Sequence, residues 1–168
     1  MFSFTDHVDA LTEREKALQI VGDLMERGHY FPDSVTNLRE VEPRPTNETG
    51  KFFPGQRVAF LVNGEHNEHV IADVELWYEA EAEVIERPFR AIRGERIKWR
   101  LSELTPGMIR VTLTFSANYG PLERLSKGGH AKKFWRETLK RLKTYLQDRR
   151  SYSGANTFAP RAPSREGG

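Results

Sequence analysis

Residues His130 to Arg150 read HAKKFWRETLKRLKTYLQDRR. Within this stretch Ala131, Phe134, Trp135, Thr138, Leu139, Leu142, Tyr145 and Leu146 recur at steps of three and four. That spacing stacks side chains on one face of an α-helix. Lys132, Lys133, Arg136, Lys140, Arg141 and Lys143 fill the other faces. A helix of about twenty residues is about 30 Å long, and its apolar stripe needs a cover of the same length. The remainder of the chain has to supply that cover.

Upstream of the helix the period falls to two. Ile109, Val111, Leu113 and Phe115 alternate with polar neighbours, and Thr105-Pro106-Gly107 is a turn before them. Ile97, Trp99 and Leu101 alternate with Lys98, Arg100 and Ser102, and Phe89 to Arg93 reads as a short strand following Pro88. Further back, Val70, Ala72, Val74, Leu76, Tyr78, Ala80, Ala82 and Val84 alternate with Glu75, Trp77, Glu79, Glu81 and Glu83, which predicts one long two-faced strand. Val58, Phe60 and Val62 form another, closed by the turn dipeptide Asn63-Gly64. Pro43 to Gly50 is a polar loop, and Val35 to Val41 is extended.

At the start of the chain Phe2, Phe4 and Val8 define a first strand, with Asp6 interrupting its apolar face. Thr12 and Glu15 make a T-x-x-E capping box for a helix carrying Leu18, Val21, Leu24 and Met25. Gly28 ends that helix, and His29 to Pro32 is a compact turn or second short helix. The count is seven strands, with a helical insert after the first and the long helix after the last.

Short turns between strands imply an antiparallel meander, and a sheet with one apolar face packs best against a helix. The expected fold class is therefore α+β, a curved seven-stranded antiparallel sheet wrapped around the C-terminal helix. Residues 1–150 form one domain on this reading. The remaining SYSGANTFAPRAPSREGG, rich in Ser, Gly, Ala and Pro, reads as a disordered tail over 151–168.

Composition narrows the function classes. A net charge of +2, from 26 basic and 24 acidic residues, is too small a bias to argue for nucleic acid as a partner. With no cysteine, neither disulfides nor thiol chemistry is open to the chain. Asp6 and Asp9 stand where a signal peptide needs an apolar run, and no segment reaches membrane-spanning length, so the expectation is a cytoplasmic protein with no integral membrane association.

The element order is that of the helix-grip fold. The segments IKWRLSELTPGMIRVTLTFSANYGPLERL and FWRETLKRLKTYLQ resemble the SRPBCC superfamily, the START-like proteins that include polyketide cyclases and lipid-transfer proteins. The resemblance rests on Trp99 to Leu101, Pro106-Gly107, Val111 to Thr114 and Leu139 to Leu146, with FSFTDHVDA as the first strand. LTEREK departs from the proline-containing entry into the first helix of that superfamily. Its motifs are structural, and they carry fold better than function.

What the resemblance implies is a cavity between sheet and long helix that holds a hydrophobic small molecule. The inward residues are Phe60, Leu76, Tyr78, Trp99, Leu101, Val111, Leu113, Phe115, Phe134, Trp135, Thr138 and Leu142. Ligand pockets have this make-up, and so do packed cores. Tyr78 and Thr138 are the hydroxyls available to orient a ligand, unless the backbone satisfies them. His29 and Tyr30 lie where the pocket mouth of such proteins falls, although residues there often only cap a turn. Asp6 would be a general-base candidate if buried, and otherwise is an exposed strand residue.

His66 and His69 in GEHNEH have H-x-x-H spacing, but a hairpin tip does not make them converge on a metal, and the segment reads as a solvated loop. The glutamates of the long strand face Arg93, Lys98 and Arg100 as cross-strand charge pairs, and Trp77 is the odd outward aromatic among them. The basic back of the final helix reads as a solvated face. No phosphate loop, catalytic triad order or cofactor motif is present in the sequence. Three functions follow: a carrier or binder of a lipid, polyketide or quinone-like molecule; a cyclase or dehydrase using the same pocket; and an interaction protein with a filled core. Neither a cofactor, a metal nor an oligomeric state is indicated.

Overall fold

A computed structural model describes residues 1–45, 54–77 and 81–148, with the backbone alone described for 75–77. Seven strands form one sheet in the order β1-β7-β6-β5-β4-β3-β2, and every neighbouring pair is antiparallel. They are β1 (Phe2–Leu11), β2 (Val35–Glu42), β3 (Arg57–Val62), β4 (Glu65–Trp77), β5 (Glu81–Pro88), β6 (Arg96–Thr105) and β7 (Met108–Ala117). Between β1 and β2 lie helix α1 (Arg14–Val21) and a 3-10 helix (Leu24–His29), and helix α2 (Pro121–Gln147) follows β7. The expected α+β architecture, seven antiparallel strands and a long C-terminal helix, is the one observed. No helix among the described residues is long and apolar enough to cross a membrane.

Four local readings change. The long strand expected over 70–84 is two strands, β4 and β5, with Trp77 opposite Glu81. From Asp73 to Trp77 the paired residues have even sums, as in Val74 with Val84 and Leu76 with Ala82, so the alternation has the same parity in both strands there. No Gly, Pro or Asn marks the turn either. Phe89 to Arg93 is not a strand: after Pro88 the chain turns, with Gly94 at φ +64° and its N–H bonded to the Ala91 carbonyl at 3.0 Å.

The capping box is also absent. Glu13, without a side-chain cap, precedes α1, while the Thr12 hydroxyl is buried and lacks a partner. The helix stops at Gly22, and Asp23 starts the 3-10 helix by accepting from the Met25 N–H at 3.0 Å. Last, α2 begins nine residues before His130. Pro121 stands in its first turn, and the Gly120 N–H donates to Glu123 at 3.1 Å, so the helix is about 40 Å long.

Helix α2 lies along β1 and also touches β7, whereas the 3-10 helix contacts β2, β3 and β4. Trp135, Thr138, Leu139, Leu142 and Leu146 are the side chains α2 buries beyond its first turns. Both ends are tied to the N-terminal elements. Near its start Gly128 is pressed against Phe2, and at its end the Leu11 N–H donates to Gln147 at 2.9 Å while Lys16 reaches the Asp148 carbonyl at 2.9 Å.

The two adjacent glycines of α2 have opposite surroundings. A Cβ on Gly128 lies 2.7 Å from the Phe2 ring, which is itself boxed by Phe4, Phe115 and Tyr119 at centroid distances of 6.1, 6.2 and 5.9 Å. A Cβ on Gly129 meets nothing within 4 Å. Gly129→Ala is expected to stabilise by up to about 1 kcal/mol through helix propensity. In Gly128→Ala overpacking of about 1–3 kcal/mol outweighs the same gain. Urea denaturation midpoints moving in the same direction for both variants contradict this packing.

Candidate functional site

The site is built on the concave face of the sheet, where the register brings together residues that the linear pattern separates. In β4 the pairing shifts between Ile71 and Asp73, so a bulge at Ala72 reverses which residues face inward. Before it His69 and Ile71 are buried; after it Val74 pairs with inward Val84 and only half of it is covered. Val70 and Ala72, expected inward, are consequently not part of the buried core. The GEHNEH segment is β strand rather than loop. Exposed His66 bonds half-buried Glu68 at 3.1 Å, whereas His69, of opposite parity, enters the interior. The two histidines therefore do not converge.

Glu86 continues the inward row of Ala82 and Val84 in β5 and is fully buried, as is Arg27 of the 3-10 helix. Oε1 of Glu86 accepts from Arg27 Nε at 3.2 Å, Arg27 Nη2 at 2.9 Å and Trp99 Nε1 at 3.0 Å, and Oε2 lies 2.5 Å from His69 Nδ1. Arg27 also donates to the Tyr30 hydroxyl, and that hydroxyl donates to the Ile20 carbonyl at 3.2 Å. The guanidinium lies over the Trp99 ring, 4.7 Å from its centroid.

Burial alone would raise the Glu86 carboxyl, but the Arg27 charge and the His69 hydrogen bond outweigh it and hold it at about 2. Burial pushes the Tyr30 phenol well above its ordinary range, against the pull of Arg27, and it stays neutral. Burial disfavours the charge on Arg27, yet Tyr30 and Glu86 together leave it more basic than usual.

Above this polar node sits a cluster of rings. Phe31 packs on Phe60, Phe134 and Trp135 with centroids 5.2, 5.4 and 6.0 Å away, and Trp135 meets Trp99 edge-on at 6.0 Å. His69 lies between Phe60 at 5.1 Å and Trp135 at 6.2 Å. With Nδ1 committed to the carboxylate, its Nε2 is the edge left for another partner.

Of the residues chosen from sequence, Phe60, Trp99, Leu101, Val111, Leu113, Phe115, Trp135, Thr138 and Leu142 are buried, and Phe134 is half-buried. Phe60, Phe134, Trp135 and Trp99 meet around the ring cluster; Leu101, Val111, Leu113 and Phe115 line the floor under α2. The Thr138 hydroxyl bonds the Phe134 carbonyl at 2.8 Å, one helical turn back. Leu76 is opposite Ala82 in the register, and Tyr78 lies outside the described residues. His29 stacks on Tyr145 at 4.8 Å, and Asp6, half-exposed, pairs with Arg136 at 3.3 Å.

Arg27, Glu86 and Phe31 were not singled out from sequence, and His69 was weighed only as half of an H-x-x-H pair in a solvated loop. For Glu86 a signal existed, because it stands two residues beyond Val84 on the inward parity. For His69 none did, since the bulge that turns it inward leaves no mark in the alternation.

The same arrangement of sheet and helix recurs in solved structures. A hypothetical protein from Helicobacter pylori superposes with a TM-score of 0.63 at 16 % identity, over 86 % of this chain and 88 % of that one. A START superfamily protein from Mycobacterium smegmatis gives 0.53 at 13 %, over 84 % and 97 %. The chain has the START-like, helix-grip fold. The di-domain ARO/CYC protein BexL of the BE-7585A biosynthetic pathway shares this START-like fold with a TM-score of 0.58 at 12 % identity, over 86 % of this chain and 46 % of that one. No protein-family model matches the sequence, and no curated protein does.

Removing Arg27 leaves a buried carboxylate with His69 and Trp99 as its remaining partners. Arg27→Met is expected to cost about 3–5 kcal/mol, and Arg27→Met with Glu86→Leu to recover a large part of it. In the wild type the Glu86 contribution is complete above its ordinary value of 4.5 and is lost as pH falls toward about 2. Stability measured against pH in that window falls less steeply in Glu86→Gln; equal slopes contradict a charged Glu86.

Proposed function

We propose that the domain of residues 1–150 binds a hydrophobic small molecule, of the lipid, polyketide or quinone class, in the chamber between α2 and the β3–β5 half of the sheet. The carrying observation is how that half is covered. α2 lies over β1 and β7 and the 3-10 helix lies over β2 to β4. Between them the concave face is closed by the rings of Phe31, Phe60, Phe134 and Trp135. Rings part by changing rotamer, a far smaller rearrangement than displacing a helix. Half-buried Phe134 and Val74 mark the rim of the chamber.

A ligand entering there replaces ring-to-ring contacts with its own apolar surface and gains about 25 cal/mol for each Å² removed from water. The Thr138 hydroxyl is engaged within its helix, so His69 Nε2 is the polar contact offered, with Glu86 fixing its orientation. The START-like fold shared with BexL and the Mycobacterium smegmatis protein supports the same reading.

A second reading, a cyclase-type enzyme in this chamber, is favoured by the His69–Glu86 pair. Glu86 orients the ring through Nδ1 and leaves Nε2 beside an apolar space, which is the geometry of a general base. Native mass spectrometry of freshly purified protein, set against the denatured mass, tests both. The expected result is an apolar molecule that leaves on denaturation. A carrier releases it unchanged after incubation; an enzyme releases it altered, and His69→Gln restores the unaltered mass. A bare native mass, with Trp emission unmoved by an uncharged naphthylamine probe, defeats both.

A further inference from the structure

We infer that the groove between the 3-10 helix, β2 and α2 holds the anionic head of an amphipathic small molecule whose apolar body enters past Phe31. This rests on the ligand-binding reading above and adds the chemical class of the ligand. The groove encloses about 270 Å³ and is lined by residues that include Gly28, Phe31, Asp33, Thr36 and Arg141. That volume falls just short of the roughly 300 Å³ at which sites for whole small molecules begin. It suits a head group, and the rest of such a molecule needs space further in.

Phe31 is the wall common to both spaces. The same ring that lines the groove packs on Phe60, Phe134 and Trp135 inside and is almost fully buried. One rotamer change therefore joins groove and chamber. β2 is irregular beside the groove, with Asn37 at a left-handed φ of 56° and the pairing with β3 shifted between Thr36 and Arg39.

The sign of the head group follows from Arg141. Its Nη1 is 3.0 Å from Asp33 Oδ1 and 4.0 Å from Glu137 Oε2. The Asp33 side chain is 94 % exposed and that of Arg141 35 %. Asp33 can turn into water and lose little, because ion pairs at the surface are weak. The guanidinium, held along the groove by α2, stays behind with its donors facing the space Asp33 vacates. A planar fork of that kind matches a carboxylate or sulfonate in bidentate fashion. Asp33 thus stands in for the ligand's anion while the groove is empty.

Two dyes with a common anilinonaphthalene body separate head from body: 1-anilinonaphthalene-8-sulfonate carries the anion, and N-phenyl-1-naphthylamine does not. Fluorescence titration of the full chain is expected to show the sulfonate binding about tenfold tighter, the worth of a charge-assisted pair. Arg141→Gln should bring the sulfonate down to the neutral dye and leave the neutral dye unchanged. Asp33→Asn should tighten the sulfonate alone. Phe31→Ala, which opens the wall between groove and chamber, should change the affinity of both dyes alike.

A second basic groove, on the outer side of α2 at Lys132, Lys133, Arg136 and Lys140, provides the control. If the preference for sulfonate survives Arg141→Gln, or disappears instead in Lys132→Gln with Lys140→Gln, the inference is overturned. Affinities for both dyes unmoved by Phe31→Ala overturn the path past Phe31. If neutral dye binds and the sulfonate shows no advantage, this inference fails while ligand binding stands; if neither dye binds, both fall.

Discussion

Glu86 is a carboxylate near the middle of a seven-stranded sheet with no solvent exposure, and bringing such a charge out of water costs several kcal/mol unless its hydrogen-bonding capacity is filled. Its partners come from three separate elements: Arg27 from the 3-10 helix, His69 from β4 and Trp99 from β6. Each contact restricts one degree of freedom of the fold. Arg27 holds the 3-10 helix against the sheet, His69 requires the bulge at Ala72, and Trp99 aligns β6 with β5. Tyr30 and the Ile20 carbonyl complete the outer side of the guanidinium, so α1 is drawn into the same network.

That lock divides the concave face into two halves of different character. Over β1 and β7 the cover is α2, held along its length by buried Trp135, Leu139, Leu142 and Leu146 and by polar ties at Gln147 and Asp148. Over β2 to β4 the cover is the short 3-10 helix, and the gap between it and α2 is closed by the rings of Phe31, Phe60, Phe134 and Trp135. A helix anchored at several points from Gly128 onward moves as a body, but a ring moves alone. The half closed by rings is also where His69 and the groove at Arg141 lie.

Much of the architecture was legible in the chain. The step of three and four after His130 and the alternation of Val58 to Val62, Ile97 to Leu101 and Ile109 to Phe115 report burial against one surface, and burial patterns survive in sequence because water sorts side chains locally. The inward residues were readable for the same reason, as Phe60, Trp99, Val111, Trp135 and Leu142 show. Where the readings failed, the missing information was not periodic. A hairpin that keeps parity hides its turn, a bulge shifts parity without a special residue, and Pro88 with Gly94 turned an apparent strand into a loop.

The sequence by itself determined which residues leave water and with what period, and from that the long helix and the fold class; the count of seven strands agreed because one strand too many at 89–93 offset β4 and β5 read as one. Only the tertiary structure decided which buried residues meet. Arg27 and Glu86 are 59 positions apart and His69 and Glu86 are 17 apart. Their encounter depends on register, on one inserted residue in β4 and on the docking of a six-residue helix. Charges interact through space at a few ångströms, and the chain's local pattern holds no record of such distances.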